Sequence, residues 1–195
     1  MDKVISETLG AFYQHYPKVA AVVTACAAGN DNAMAVAWHM PISSKPPLYG
    51  VAISPKRFTY ELIADSKEFA INFVPDTKAE LVAAVGGSKG NEVDKFKVFS
   101  IAKDNPIKTA APILKAAYAA FECKLVDDRL YGDHRLLIGE IVAVHYLEEA
   151  FMDDGTLNLD KVSPVLYLGN EQYLSVAECR VRTLNREFCA GCLKA

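Results

Sequence analysis

Hydroxyls and cations crowd one short segment of the chain, Ser54-Pro55-Lys56-Arg57-Phe58-Thr59, just ahead of an apolar-periodic run. Such a grouping suits a phosphate monoester, which carries about −1.5 to −2 charges near neutral pH and accepts several hydrogen bonds. Thr59 and the unpaired N–H groups of the turn after it donate to an anion, and the helix dipole favours one there. Lys56 adds a point charge and Arg57 a planar fork. Upstream, the only tryptophan, Trp38, stands beside His39 in an apolar segment from Ala33 to Ile42, and its indole offers a stacking face. The stretch from Asn32 to Thr59 therefore reads as a seat for a flat aromatic cofactor that ends in a phosphate. A plainer account of the same residues is an ordinary helix start, solvated Lys56 and Arg57, and a core tryptophan. On spacing alone the plainer account comes first.

Other residue groupings say less. The loop Gly86 to Phe96, GGSKGNEVDKF, holds Ser88, Lys89 and Lys95, and it either closes over a bound anion or is simply a solvated connection. His134 follows Gly132-Asp133 and reads, on its neighbours alone, either as a functional imidazole or, almost equally, as a satisfied turn histidine; His15, His39 and His145 show no partner pattern. Five cysteines, an odd number, argue against a disulfide framework. Cys26, Cys123 and Cys179 sit in apolar or alternating segments as buried thiols. Cys189 and Cys192 form a C-x-x-C in FCAGC, a spacing that suits a redox dithiol or half of a zinc site. Two thiolates do not complete a tetrahedral metal site, so a structural or incidental role ranks ahead of metal binding, and redox chemistry comes third.

The elements that must hold these residues are mostly strands. Residues 1 to 17 end at Tyr16-Pro17 and suit a short helix or an edge segment. Lys18 to Ala28 is rich in β-formers, and Gly29-Asn30-Asp31-Asn32 is a turn signal that pairs it with the Trp38 segment as a hairpin. A proline-marked loop, Ser43 to Pro47, precedes a second apolar run, Leu48 to Ile53. Tyr60, Leu62 and Ile63 fall on one helical face. Glu68 to Val74 reads as a strand, and Thr77 to Val85 as a helix with Asp76 as its N-cap. Asn105 to Pro112 is irregular. Alternation from Tyr118, a turn at Leu130 to His134, and the β-rich Arg135 to Tyr146 predict a second hairpin; Pro164 to Leu168 and Gln172 to Val176 add short strands. Many short strands with few helices point to a small closed barrel, and the lack of βαβ units or a G-x-G-x-x-G disfavours a doubly wound nucleotide fold.

Bulk properties set the frame. A chain of 195 residues suits one domain, and a composition of 51% hydrophobic and 23% charged residues is that of an ordinary globular protein. A net charge of −3 gives no reason to expect nucleic acid or an anionic membrane as partner. No apolar run reaches the ~18 residues of a spanning helix, and Met1-Asp2-Lys3 leads into no signal-peptide core, so the expected compartment is the cytoplasm.

The order of features resembles a known family. Tyr16-Pro17 ahead of an apolar strand, then GNDNAMAVAWHMPIS, PPLYGVAISPKRFTYELI, EFAINF, the VDKF loop and GDHRLLIGEIV look like the flavin reductase-like family of FMN-binding split barrels, and most like its flavoredoxin branch. The resemblance covers roughly residues 10 to 176 of a single domain and leaves the C-x-x-C in a tail, 177 to 195. It implies a mainly β, six-stranded Greek-key split barrel with a few short helices, forming a homodimer with FMN beside the subunit interface. Carried over position by position, Asn32, Val36, Ala37, Trp38 and Ile53 contact the cofactor, and His39 touches it through its backbone. Ser54, Lys56, Arg57 and Thr59 lie at the phosphate. Lys95 hydrogen-bonds the cofactor, Asn72 and Phe73 flank the pocket, and Tyr167 stands near the ring. His134 faces the flavin and is the catalytic candidate, since an imidazole can position a nicotinamide or supply a proton. The implied activity is electron transfer from NADH or NADPH through FMN to free flavin, ferric complexes or a protein partner. The alternative is a flavoredoxin-type carrier with no nicotinamide site of its own; a thiol or metal module built on Cys189 and Cys192 is a third.

Overall fold

The computed structural model describes residues 3–176. A 3-10 turn, Phe12–His15, comes first. The strands and helices then follow as β1 (Lys18–Val19), β2 (Ala21–Ala27), β3 (Asn30–Val36), β4 (His39–Ser44), β5 (Pro47–Ile53), α1 (Phe58–Ser66) and β6 (Glu68–Phe73). The second half holds α2 (Ala79–Gly87), α3 (Lys95–Val98), β7 (Lys103–Asp104), β8 (Ile113–Leu114), β9 (Ala119–Tyr131), β10 (His134–Tyr146), β11 (Leu166–Gly169) and β12 (Gln172–Leu174).

The main antiparallel sheet runs β3-β2-β6-β9-β10-β5-β4, so β3 and β4 lie at its opposite edges. Only Ala37 and Trp38 separate those two strands in the chain. The sheet must therefore curl until its edges meet, and taken as one pass the β3–β4 run makes six strands in a closed split barrel. The apolar segment Ala33 to Ile42 is thus not one straight strand: it breaks at Trp38, whose carbonyl accepts a hydrogen bond from the Ala52 N–H at 2.8 Å as the chain changes partners.

β2 is buried on both faces, which explains its unbroken apolar sequence. Ala21, Val23 and Ala25 join Val51, Ile53, Ile63, Phe69, Ile71 and Leu137 in the barrel core. Ala20 and Val22 face the other way, against Val82 and Val85 of α2, Phe96 of α3, and Leu114. Gly139 lets Phe69 reach across the interior, since a Cβ there would stand 2.6 Å from Phe69 Cζ.

Several boundaries shift from the sequence reading. The first turn is Ala28-Gly29, both at positive φ, and Asn30 to Asn32 already pair with β2. The expected loop Ser43 to Pro47 narrows to Lys45-Pro46. Asp76 does not cap a helix: Asp76–Lys78 forms a 3-10 turn, α2 starts at Ala79, and the Asp76 carboxylate accepts a hydrogen bond from Ser175. The Gly86 to Phe96 loop contains the end of α2 and the start of α3, which Asp94 caps through the Lys97 N–H.

The irregular stretch before β8 is pinned by one buried carboxylate. Glu122 accepts the backbone N–H groups of Ile107, Lys108 and Thr109 at 2.7–2.9 Å, the Thr109 hydroxyl, and His145 Nε2 at 2.7 Å. Burial alone would raise its pKa, but these donors outweigh burial and hold it at about 2. Cys123 is buried and Cys26 partly so; Cys179, Cys189 and Cys192 lie outside the described residues.

Candidate functional site

The chain gathers its candidate residues in one cleft of about 590 Å³, within the roughly 300–1,000 Å³ common for small-ligand sites. β3, the bend at Trp38, the end of β5 and the start of α1 build one wall, and the segment Val85 to Lys95 builds the other.

At the floor, Asn32 Nδ2 donates to Thr59 Oγ1 at 2.8 Å. The Asn32 carboxamide oxygen is buried and has no partner among the described residues. Gly90 crosses directly over it: a Cβ on Gly90 would stand 2.3 Å from Asn32 Oδ1. Close by, the Lys95 ammonium, only 2% exposed, donates to Ala33 O at 2.8 Å and to Val85 O at 2.7 Å. That leaves its third N–H. Burial, then the neighbouring Arg57 guanidinium, bring its pKa down to about 8. Above Thr59 the first turn of α1 has no side-chain cap, since Arg57 occupies the N-cap without bonding back. The Tyr60 N–H bonds back to Arg57 O at 2.9 Å, while those of Phe58 and Thr59 have no partner among the described residues.

The other end of the cleft is aromatic. Trp38 lies 4.7 Å from the His134 ring, centroid to centroid, and 5.2 Å from Phe12, edge-on. Its indole N–H donates to Tyr16 Oη at 3.0 Å. His134 Nδ1 donates to Asp133 Oδ1 at 2.8 Å, and that bond, with Lys56 also nearby, holds the Asp133 carboxyl below its usual range. Tyr167 completes this end of the lining.

Of the residues singled out in the sequence, Asn32, Val36, Ala37, Trp38, Ile53, Ser54, Lys56, Arg57, Thr59, Lys95, His134 and Tyr167 line this cleft. Ser88 and Lys89 do so too, although Lys89 is paired with Glu92. Two expectations need correction, those for Asn72 and Phe73. The His39 ring, on a residue expected to touch the cofactor only through its backbone, faces the opposite side from Trp38, because neighbouring residues at a strand start face opposite sides. Its Nε2 donates to Val19 O at 2.9 Å and its Nδ1 accepts from the Tyr49 hydroxyl at 2.8 Å, while burial lowers its pKa. Asn72 does not flank the cleft: it is spent inside the sheet, donating to Val22 O and Thr24 Oγ1 and accepting from the Leu114 N–H. Phe73 packs with Tyr49 and Phe121 and lines a separate apolar cavity.

Sequence reasoning missed Phe12, Tyr13 and Tyr16 as cleft residues, along with Met34 and Gly90. The aromatic spacing of FYQHY ahead of Pro17 was the available signal for the first three.

A family model described as "Flavin reductase like domain" matches residues 13–176. The chain belongs to the flavin reductase-like family. Among solved structures, this flavin reductase-like chain is 34% identical to an FMN-binding protein from Thermus thermophilus with bound 1-cyclohex-2-enone, with a TM-score of 0.83 over 94% of this chain and 99% of that one. It is 26% identical to flavoredoxin of Desulfovibrio vulgaris (Miyazaki F), with a TM-score of 0.80 over 96% of this chain and all of the other. Among curated proteins it is 28% identical, over 69% of its own length and 74% of the relative's, to the reductase component of an FADH(2)-dependent resorcinol hydroxylase from Rhizobium sp. (strain MTP-10005). The split-barrel fold and the family expected from the sequence are both those found. No helix among the described residues is long and apolar enough to cross a membrane.

Proposed function

We propose that the cleft holds FMN, with its phosphate at the first turn of α1 and its ring toward Trp38 and His134. Electrons then pass from NADH or NADPH through it to free flavin, a ferric complex or a redox protein. One observation carries this reading: a single cleft joins a helix start without a side-chain cap, a buried ammonium and an unpartnered carboxamide oxygen to an aromatic wall. These residues fit the group, because a phosphorylated flavin needs anion donors at one end and a flat apolar face at the other, and its hydroxyl and ring N–H groups need acceptors such as Asn32 Oδ1. The likeness to an FMN-binding protein and to a flavoredoxin supports the same cofactor, and the likeness to a reductase component supports the enzymatic role.

FMN, when bound, supplies the hydride and electron chemistry. The protein's residues do the rest. Thr59, Arg57 and the α1 N–H groups hold the anionic end, Lys95 places a positive charge at the floor, and Trp38 orients the ring. His134, fixed by Asp133, stands where it can position a nicotinamide or exchange a proton at Nε2.

Anaerobic titration with NADH and NADPH tests the activity. Rapid bleaching of bound FMN is expected; FMN that binds but bleaches only with a reduced protein partner would favour the flavoredoxin-type carrier, which the similarity to flavoredoxin also supports. A well-folded protein that takes up no FMN would end both readings. We further infer that a second copy of the chain covers Val126, Leu130, Val144 and Tyr146 on β9 and β10, large apolar side chains that are all more than half exposed.

A further inference from the structure

We propose that the acceptor for this cleft is a flat, uncharged conjugated diketone of the para-quinone class, and that Tyr16 selects it by donating a hydrogen bond to a carbonyl oxygen. This inference rests on the reading of the cleft as an FMN site and puts a quinone in place of the ferric complex as its small-molecule acceptor.

Exposure separates the floor of the cleft from its mouth. Asn32, Thr59 and Lys95 are at most 2% exposed, whereas Phe12 is 49% and Tyr13 41% exposed. The buried polar and cationic groups thus sit deep, where an anionic cofactor end belongs. Rings crowd the outer end: Phe12 and His134 flank Trp38, Tyr13 lies 5.4 Å from Tyr16, and Tyr16 lies 6.0 Å from Tyr167. Faces and edges at such spacings attract a flat conjugated molecule. A ferric chelate presents anionic carboxylates instead, and these rings offer no charge to offset their desolvation.

Hydrogen bonding narrows the class further. Tyr16 Oη accepts the Trp38 indole N–H, so the direction of the phenol is fixed. Its own hydrogen has no acceptor among the described residues. A donor held in place within an aromatic rim calls for a carbonyl oxygen. His134 spends Nδ1 on Asp133, which leaves Nε2 free to relay the solvent proton to the far oxygen. The turn bearing these rings is itself anchored, because Tyr13 lies flat on Gly169, where a Cβ would come within 2.3 Å of the ring. Reduced FMN, as its monoanion, gives up a hydride equivalent; the quinone takes this and one proton from solvent and leaves as the quinol, so atoms and electrons balance.

The test uses FMN-loaded protein reduced anaerobically with stoichiometric dithionite, then mixed by stopped flow with 1,4-naphthoquinone or with ferric EDTA, the readout being recovery of the oxidised flavin spectrum. Equilibrium titration of the oxidised protein with 1,4-naphthoquinone gives a second readout, in which Tyr16→Phe should raise the dissociation constant about tenfold. Wild-type reoxidation should saturate with naphthoquinone and stay linear with ferric EDTA. Tyr16→Phe should lower the second-order constant for naphthoquinone about tenfold, the size of one lost hydrogen bond, with ferric EDTA unchanged. If Tyr16→Phe fails to retain FMN, wild-type protein mixed with phenazine, a flat uncharged acceptor with no carbonyl oxygen, makes the comparison: saturation equal to that with naphthoquinone overturns the role of the Tyr16 hydroxyl. Equal losses for both acceptors, as a general disturbance of Trp38 would give, or an unchanged naphthoquinone constant, overturn the proposal. Wild-type protein that takes up no FMN removes the cofactor reading and the proposal together; FMN uptake with a flat acceptor pattern removes the proposal alone.

Discussion

Lys95 is an ammonium kept out of water between two carbonyl oxygens, beside a guanidinium. Its pKa lies at about 8, below the ordinary 10.5, so the folded state favours its neutral form. The cost of keeping it charged is therefore full below about 8 and is relieved as pH rises from there toward 10.5. Two opposite trends should follow in that window: the ligand-free protein gains stability, while FMN binding weakens as the floor loses its charge. Titration of FMN by fluorescence across this range, alongside thermal melts, checks both, and Lys95→Met should flatten each. Thr59→Val should weaken FMN binding by about 10- to 100-fold, the loss of a hydrogen bond to a charged group, with far-UV circular dichroism unchanged. At this scale the sequence revealed chemistry better than orientation. The phosphate-end residues share one segment, so their grouping survives folding. Asn72 depends on which side of its strand it faces, and that parity is set by pairing partners distant in the chain.

Among the elements, the segment from α2 to α3 holds more of the site than its loop-like composition suggested. Gly90 packs on Asn32 with no room for a methyl group. Gly90→Ala should displace this wall, reducing FMN affinity and lowering the melting temperature, because a methyl group over buried Asn32 forces a shift. The pinning of the stretch before β8 by Glu122 gives a second element-level prediction. Glu122→Gln should cost about 2 kcal/mol at neutral pH, because three backbone N–H groups lose a charged acceptor. The carboxylate's pKa is depressed from 4.5 to about 2, so its stabilisation is present above the ordinary value and fades as pH falls through that interval. The gap between mutant and wild type in urea denaturation should close accordingly. Strand existence was legible from β-rich runs and turn residues. The break at Trp38 was not, because a change of hydrogen-bond partners leaves no mark on an apolar sequence.

For the whole molecule, the proposed self-association is tested directly by mass. Val144→Glu and Tyr146→Lys on β10 together should convert a dimer measured by sedimentation into a monomer, whereas a wild-type monomer would dismiss the inferred pairing. The closure of the barrel also has a consequence for ligand exchange. The seam where β3 gives way to β4 is the place where the indole is mounted, and the Ala52 amide bonds to the carbonyl of that same residue. Fraying of the sheet margins and departure of a bound ring are therefore one motion. A seated ring acts as a rivet, and hydrogen–deuterium exchange at the Ala52 amide should slow when FMN is added, more than at amides in the middle of β9.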